Sequence, residues 1–385
     1  MFLYIEGEKG DVIVKRKIVC GLAIIMLFVS LNACASKNNT DPVISEKKIG
    51  TPFSDCYDSI SAQEPRDMII FDNKLFIGSG DYDKNCGPAK IACYDLKTNE
   101  MSLFSVPDEQ ISNFSVINGR LTSPGIDPMD DWSLGNYYVY IDNKWEIKRN
   151  IPRGIHTFFM IEFENKIFAA LGTDECHFPI VVSHNGGNSF YEVKFEKNGQ
   201  TYPVFNSLND RVYNMFVLNE KLYAVRFSGG EYEVFVYEYG VFQYVTAWMY
   251  DIVFPSFDHF SPKSGFSASI THNGTYYFST GYLFKTNDAK NIEYVELDGR
   301  LVIDLYENNG ILYALAIKEN PDDSFTSAIY QITEKDFIFL FEVANNSYAS
   351  SLAVENNNFY IGFGYNKIDP MQSGRIILYK YKGEK

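Results

Sequence analysis

The sequence predicts an all-β protein, a seven-bladed β-propeller of four-stranded antiparallel blades, and three observations carry that prediction. The 385 residues include 31 Phe, 28 Tyr, 31 Asn and 27 Gly, a mixture that suits strands joined by tight turns rather than helices. One hairpin pattern recurs seven times, its turn Asn moving from Asn73 to Asn357 in steps that average about 47 residues, the length of a blade with its loops. The seventh unit lacks room for a fourth strand, because only Lys380 to Lys385 follow its third. A missing strand would leave an open edge, so a segment between Val43 and Ile60 is expected to close the last blade.

The first element is an address. Lys15-Arg16-Lys17 precede an uncharged run from Ile18 to Leu31, which is short of the roughly 20 residues that span a bilayer and has the layout of a signal peptide, residues 1–33. The next four residues, Leu31-Asn32-Ala33-Cys34, resemble the bacterial lipobox. The resemblance implies that Cys34 is diacylated on its thiol, becomes the first mature residue and anchors the chain to a membrane of the bacterial cell envelope, outside the cytoplasm. Residues 34–50 then read as a lipidated tether and 51–385 as one propeller domain. An ordinary secretory signal, cut near Ala33 or Ala35, is the other reading of the same residues.

The hairpins follow in order at residues 68–77, 114–121, 159–168, 215–223, 269–277, 305–313 and 352–360. Each is an apolar strand, a turn with Asn, and a strand rich in Leu, Ile, Phe and Tyr. A second strand pair supports the count at 90–96 with 100–104, 137–141 with 144–147, 232–237 with 241–245, and 328–332 with 337–341. A blade buries both faces against its neighbours, so the ring is one domain despite its length. The segment Ser183-His184-Asn185-Gly186-Gly187-Asn188-Ser189-Phe190 resembles the Asp-box, or BNR repeat, of sialidases and sortilin-type receptors. A shorter relative begins at Thr286-Asn287-Asp288. The resemblance implies that Ser183, Asn185, Gly187 and Phe190 build a structural turn between the third and fourth strands, away from the ligand face.

Composition and charge exclude some functions. With 46% apolar and 22% charged residues the chain is not disordered. Its net charge of −15 becomes −16 once the first 33 residues are removed, which argues against nucleic acid as a partner. Cys56, Cys86, Cys93 and Cys176 remain, with three pairings open if all are oxidised. A monomer is expected.

Ligand residues belong on the face where the innermost strands begin. Arg66, Arg211 and Arg300 each stand at the start of such a strand, and Arg153 and His156 lie in the connection into the third blade. Arginine's planar fork suits carboxylates, sulfates and phosphates. The sialidase resemblance implies three arginines on a substrate carboxylate, with a Tyr-Glu pair and an Asp, but the Tyr-Arg-Ile-Pro motif of that family is absent and no catalytic residue can be assigned. The plainer reading pairs the arginines with adjacent acids such as Asp67 and Asp210.

The loops between second and third strands are acidic, with Asp81, Asp83, Asp127, Asp130 and Asp131 among others. Asp81, Asp83 and Asn85 have the alternating oxygens of a calcium loop, yet Cys86 stands where such a loop needs Gly and Ala92 where it needs an acid. No cofactor is expected, and the triplet reads as a solvated turn, with calcium as the alternative that this spacing admits. Two insertions, 196–210 and 247–264, carry Tyr202, Trp248, Tyr250, Phe254, Phe257 and Phe260, rings that could stack on sugars or a partner. The expected function is a non-catalytic, membrane-anchored propeller that binds a protein, peptide or glycan at its loop-rich face; the alternative is a sialidase-like glycan hydrolase using the channel-side arginines.

Overall fold

Seven two-residue turns set the frame. In six of the hairpins both turn residues adopt positive φ: Asp72-Asn73, Asn118-Gly119, Glu164-Asn165, Asn219-Glu220, Asn273-Gly274 and Asn309-Gly310. In the seventh, Asn356 does so. Such turns match the right-handed twist of the strands they join and favour Asn, Asp and Gly, which accounts for the Asn excess. The computed structural model describes residues 43–172, 178–201, 211–228, 231–248, 266–366 and 369–382. Within them lie seven sheets, each with a four-stranded antiparallel meander as its body, forming a β-propeller.

Strands A to D of blade 1 are Asp67–Phe71, Lys74–Gly78, Ala89–Asp95 and Met101–Val106. Blade 6 is the most regular, with Leu301–Asn308, Ile311–Glu319, Phe325–Ile332 and Phe337–Asn345. Blade 7 takes strands A to C from Ser347–Glu355, Asn358–Asn366 and Ile376–Lys382, and its strand D from the N-terminal segment Val43–Gly50. That strand lies antiparallel to strand C, with Val43 opposite Lys382 and Gly50 opposite Ile376. Lys47 then reaches into blade 1, donating to Asn99 Oδ1 at 2.7 Å. The propeller therefore starts at residue 43 rather than 51, because eight residues expected to be tether are spent on an edge that would otherwise stay unpaired.

The core is divided among the seams. Seven apolar clusters occur among the described residues, one between each pair of neighbouring blades. The cluster between blades 7 and 1, with Phe53, Met68, Ala353 and Leu378, completes the ring. The seam between blades 4 and 5 corrects one expectation. Trp248, read from sequence as a loop aromatic, ends strand D of blade 4 (Val241–Trp248), is 1% exposed and stacks on Phe278 at 4.8 Å. The other aromatics of the two insertions lie outside the described residues. Part of the first insertion is strand, with Phe195–Lys197 beside strand D of blade 4.

Polar clamps join the seams near the channel. Asp67 accepts from its neighbour Met68 N–H at 2.9 Å and from Phe114 N–H in blade 2 at 2.7 Å. Asp304 repeats this one seam before closure, accepting from Leu305 N–H at 2.9 Å and from Leu352 N–H in blade 7 at 2.7 Å. A bulge between Val302 and Asp304 supplies the local bend that turns Asp304 toward the next blade.

Candidate functional site

Connections from D to A and from B to C gather on one face of the ring, hereafter the loop face; A–B and C–D turns form the opposite, turn face. On the loop face of blades 1 to 3 the connections are laced together by backbone. The two short strands Asp108–Gln110 and Ile126–Pro128 pair antiparallel. Gly80 bridges to Gln110 on one side, and His156 pairs with Ile126 on the other. Asp81 N–H donates to Glu109 O at 3.1 Å, Asp127 N–H to Ile155 O at 2.9 Å, and Met129 N–H to Pro107 O at 3.0 Å. Gly80 sits at φ +106° with Glu109 so close that a Cβ would collide with its carbonyl, so the approach depends on glycine.

This lace carries acids whose hydrogen bonding is incomplete. Asp108 is fully buried; the Tyr138 hydroxyl donates to its Oδ2, as does Asn136 Nδ2 at 3.0 Å, while Oδ1 and Glu109 Oε2 are buried without a hydrogen-bond partner. Burial pushes the Asp108 carboxyl up to about 6 and raises that of Glu109. Asp127 is pushed up to about 7, first by burial and then by the charge of Glu109. Its Oδ1 lies 3.0 Å from His156 Nε2. Burial, aided by Arg211, takes His156 down to about 3, so the contact is not an ion pair at neutral pH. The Tyr82 and Phe158 rings flank the imidazole at 5.4 and 5.5 Å, and the Arg211 guanidinium lies 5.7 Å from the Phe158 ring centre. Such a group can hold one proton near neutrality on Asp127, beside an imidazole that stays neutral.

The expected arginines are placed at the starts of strands A, but in different surroundings. Arg66 donates to the carbonyls of Gly80 at 3.1 Å and Ser61 at 3.0 Å and pairs with Glu64 at 3.4 Å. Arg300 pairs with Glu342 at 2.6 Å. Arg153 is exposed at φ 51°, and His156 opens strand A of blade 3 instead of lying in the connection before it. The calcium triplet is not assembled: the Asp81 carboxylate accepts from the Ser61 hydroxyl and faces Arg66 at 3.9 Å, whereas Asp83 and Asn85 are exposed. Among the described residues no group of three or more His, Cys, Asp or Glu could hold a metal ion. Cys56, Cys86 and Cys93 are free thiols; Cys34 and Cys176 lie outside the described residues.

Ser183 to Phe190 form a turn between strand C (Ile180–Ser183) and strand D (Tyr191–Glu192) of blade 3. Gly187 N–H donates to Ser183 Oγ at 2.9 Å and Ser189 N–H to Asn185 Oδ1 at 3.0 Å, while Phe190 packs on Tyr137. In blade 5, Asp288 Oδ1 accepts from Lys290 and Asn291 N–H, both at 2.8 Å.

Asp108, Glu109, Tyr82 and Trp132 were not singled out from sequence. The first two are adjacent acids in a D to A connection, one of the two kinds of loop that form the loop face, and that adjacency is their signal in the sequence. Trp132 and Met129 stand 60% and 53% exposed beside Asp130 and Asp131 on the blade 2 loop. Two cavities complete the picture. One of about 410 Å³ follows the channel, between Asp67, Asn113, Phe159, Tyr213 and Tyr306, and Tyr306 crosses toward blade 1 to accept from Ile70 N–H at 3.1 Å. A groove of about 560 Å³ lies between blades 5 and 6 on the turn face.

No protein-family model matches the sequence, and no curated protein matches it. Solved structures do. Raptor of Chaetomium thermophilum aligns at 12% identity with a TM-score of 0.55, over 83% of this chain and 28% of that one. The Pan2 WD40 domain of Neurospora crassa aligns at 9% identity and 0.51, over 84% and 90%. A β-propeller domain of a Pyrococcus furiosus protease aligns at 9% and 0.48, over 82% and 92%. The chain thus spans little more than a quarter of Raptor, and at these identities the likeness concerns the fold alone.

Proposed function

We propose that the chain is an exported lipoprotein, anchored through Cys34, whose propeller binds a protein, peptide or glycan at its loop face without turning it over. The observation that carries this reading is the state of the arginines. Arg66 and Arg300, which a sialidase-like site would hold ready for a substrate carboxylate, are engaged by the protein's own Glu64 and Glu342. Beside Arg66 the laced connections of blades 1 to 3 offer a firm platform with Trp132 and Met129 at its edge, the kind of ring and thioether that anchors a partner.

A second reading has one observation in its favour. Asp127, raised to about 7 by burial and by the charge of Glu109 against the opposing charge of Arg211, and 3.0 Å from His156, has the proton affinity of a general acid near neutrality, as glycan hydrolysis requires. A glycan array combined with a sialidase substrate assay on residues 36–385 separates the two. Binding without turnover is expected. Turnover that is lost in Asp127→Asn would replace the binding reading with the hydrolase, and the absence of both would leave protein partners. Palmitate labelling that persists in Cys34→Ser would refute the anchor.

A further inference from the structure

The polarity of the closing strand sets the face at which the chain enters the propeller. Strand D of blade 7 has Val43 opposite Lys382, and the neighbouring Tyr381 N–H donates at 3.0 Å to the carbonyl of Asn357, in the A–B turn of that blade. Val43 therefore enters at the turn face, and Gly50 leaves at the loop face. Eight residues, 35–42, separate Cys34 from Val43, and even fully extended they cover no more than about 30 Å. We propose that the face built from the A–B and C–D turns lies against the lipid surface, with the loop face directed away from it. This rests on the reading that Cys34 is lipidated.

The chemistry of the two faces agrees. Tyr239, at the tip of the C–D turn of blade 4, is 95% exposed, and an amphipathic ring of this kind is at home among headgroups. On or beside the turns, exposed Lys97, Arg120, Lys144, Lys221, Lys290 and Lys335 stand against exposed Asp72, Glu100, Asp142, Glu164, Glu220, Asp288, Glu334 and Asp336, a mixture that leaves this face without a strong sign. The loop face instead exposes Asp83, Asp130, Asp131, Asp322 and Asp323, and anionic lipid repels such a surface within a Debye length. Strands of eight residues, such as Leu301–Asn308, hold the two faces about 26 Å apart. That distance keeps the laced platform clear of the bilayer and open to a partner.

The test uses the full chain, purified from membranes and reconstituted into phosphatidylethanolamine–phosphatidylglycerol vesicles that contain an acceptor-labelled lipid headgroup. A donor dye is attached through an azide-bearing residue placed either at Glu334, on the turn face of blade 6, or at Lys318, near the loop face of the same blade; both are exposed. Energy transfer from position 334 is expected to be at least twice that from position 318. Equal transfer, or stronger transfer from 318, overturns the orientation. Palmitate incorporation, measured on the same preparation against Cys34→Ser, distinguishes the two failures: with palmitate present and transfer equal, the orientation alone is wrong, and without palmitate the anchor is wrong and the orientation falls with it.

Discussion

The ring is tied twice across segments distant in sequence, and the two ties use carboxylates in opposite ways. At closure, strand Val43–Gly50 fills the edge of blade 7, and one seam earlier Asp304 spends both oxygens on backbone amides, one in its own blade and one in the next. On the lace over blades 1 to 3, Asp108 and Glu109 each leave a buried oxygen without a hydrogen bond, and Asp127 sits against an imidazole that does not become charged. Burying a carboxylate favours its neutral form unless donors compensate it. Asp304 is therefore an element of construction, while Asp108 and Asp127 are poised to change protonation.

The largest expected effect comes from cutting the first tie. A chain lacking residues 43–50 exposes the edge of Ile376–Lys382 and should lose its cooperative melt and self-associate, as followed by circular dichroism and sedimentation; a monomer with an unchanged melt would show that the fold does not need the eight-residue closing strand. Next, Asp304→Ala strands two amides in the seam and should cost about 2 to 4 kcal/mol in urea unfolding. Asp304→Asn keeps an acceptor and should cost less.

The lace should respond to pH instead. The native state holds its proton on Asp108 up to about 6 and on Asp127 up to about 7, whereas the unfolded chain releases both near 4. Between those values unfolding releases protons from the two carboxyls, which makes stability fall as pH rises from about 4 to about 7, while His156, taken down to about 3 in the native state, works in the opposite sense up to about 6.5 and offsets one of them, so the net fall lies mainly between about 4 and 6. For Asp108 the loss is up to about 3 kcal/mol. Asp108→Asn should flatten the lower part of the profile and Asp127→Asn the upper part, and melting curves that are flat in the wild type would remove the contrast with Asp304. The smallest effect on stability is expected for Trp132→Ala, within about 0.5 kcal/mol, although it should weaken capture of a loop-face ligand by tenfold or more.

The blades were legible because their turns demand particular residues. Positive φ at positions such as Asn118-Gly119 and Asn309-Gly310 writes itself into composition and spacing, and a seventh unit one strand short pointed to the N-terminus for the missing piece. The bounds Val43 to Ile60 contain that strand, but its exact extent was not legible, since Val43-Ile-Ser-Glu-Lys-Lys-Ile-Gly50 is too polar to be told from a tether. The lace was hidden for another reason: strands of three residues such as Asp108–Gln110 and Ile126–Pro128 are too short to show a period. The state of Asp108 depends on Tyr138 and Asn136, about 30 positions away, which only packing brings together. Trp248 misled because it is the last residue of a strand before a segment of loop composition.

Closure by an N-terminal strand also dictates an order of events. Val43–Gly50 is the first part of the propeller to be synthesised and its partner Ile376–Lys382 the last, so no amount of folding during synthesis can complete the ring. Joining ends more than 300 residues apart costs about 5 kcal/mol of chain entropy in a fully unfolded chain, a cost that falls as intervening blades form and bring the ends together. Strand Val43–Gly50 must therefore stay unpaired until six blades are in place, and a chaperone would meet the partly folded propeller with a bare edge at each of its ends.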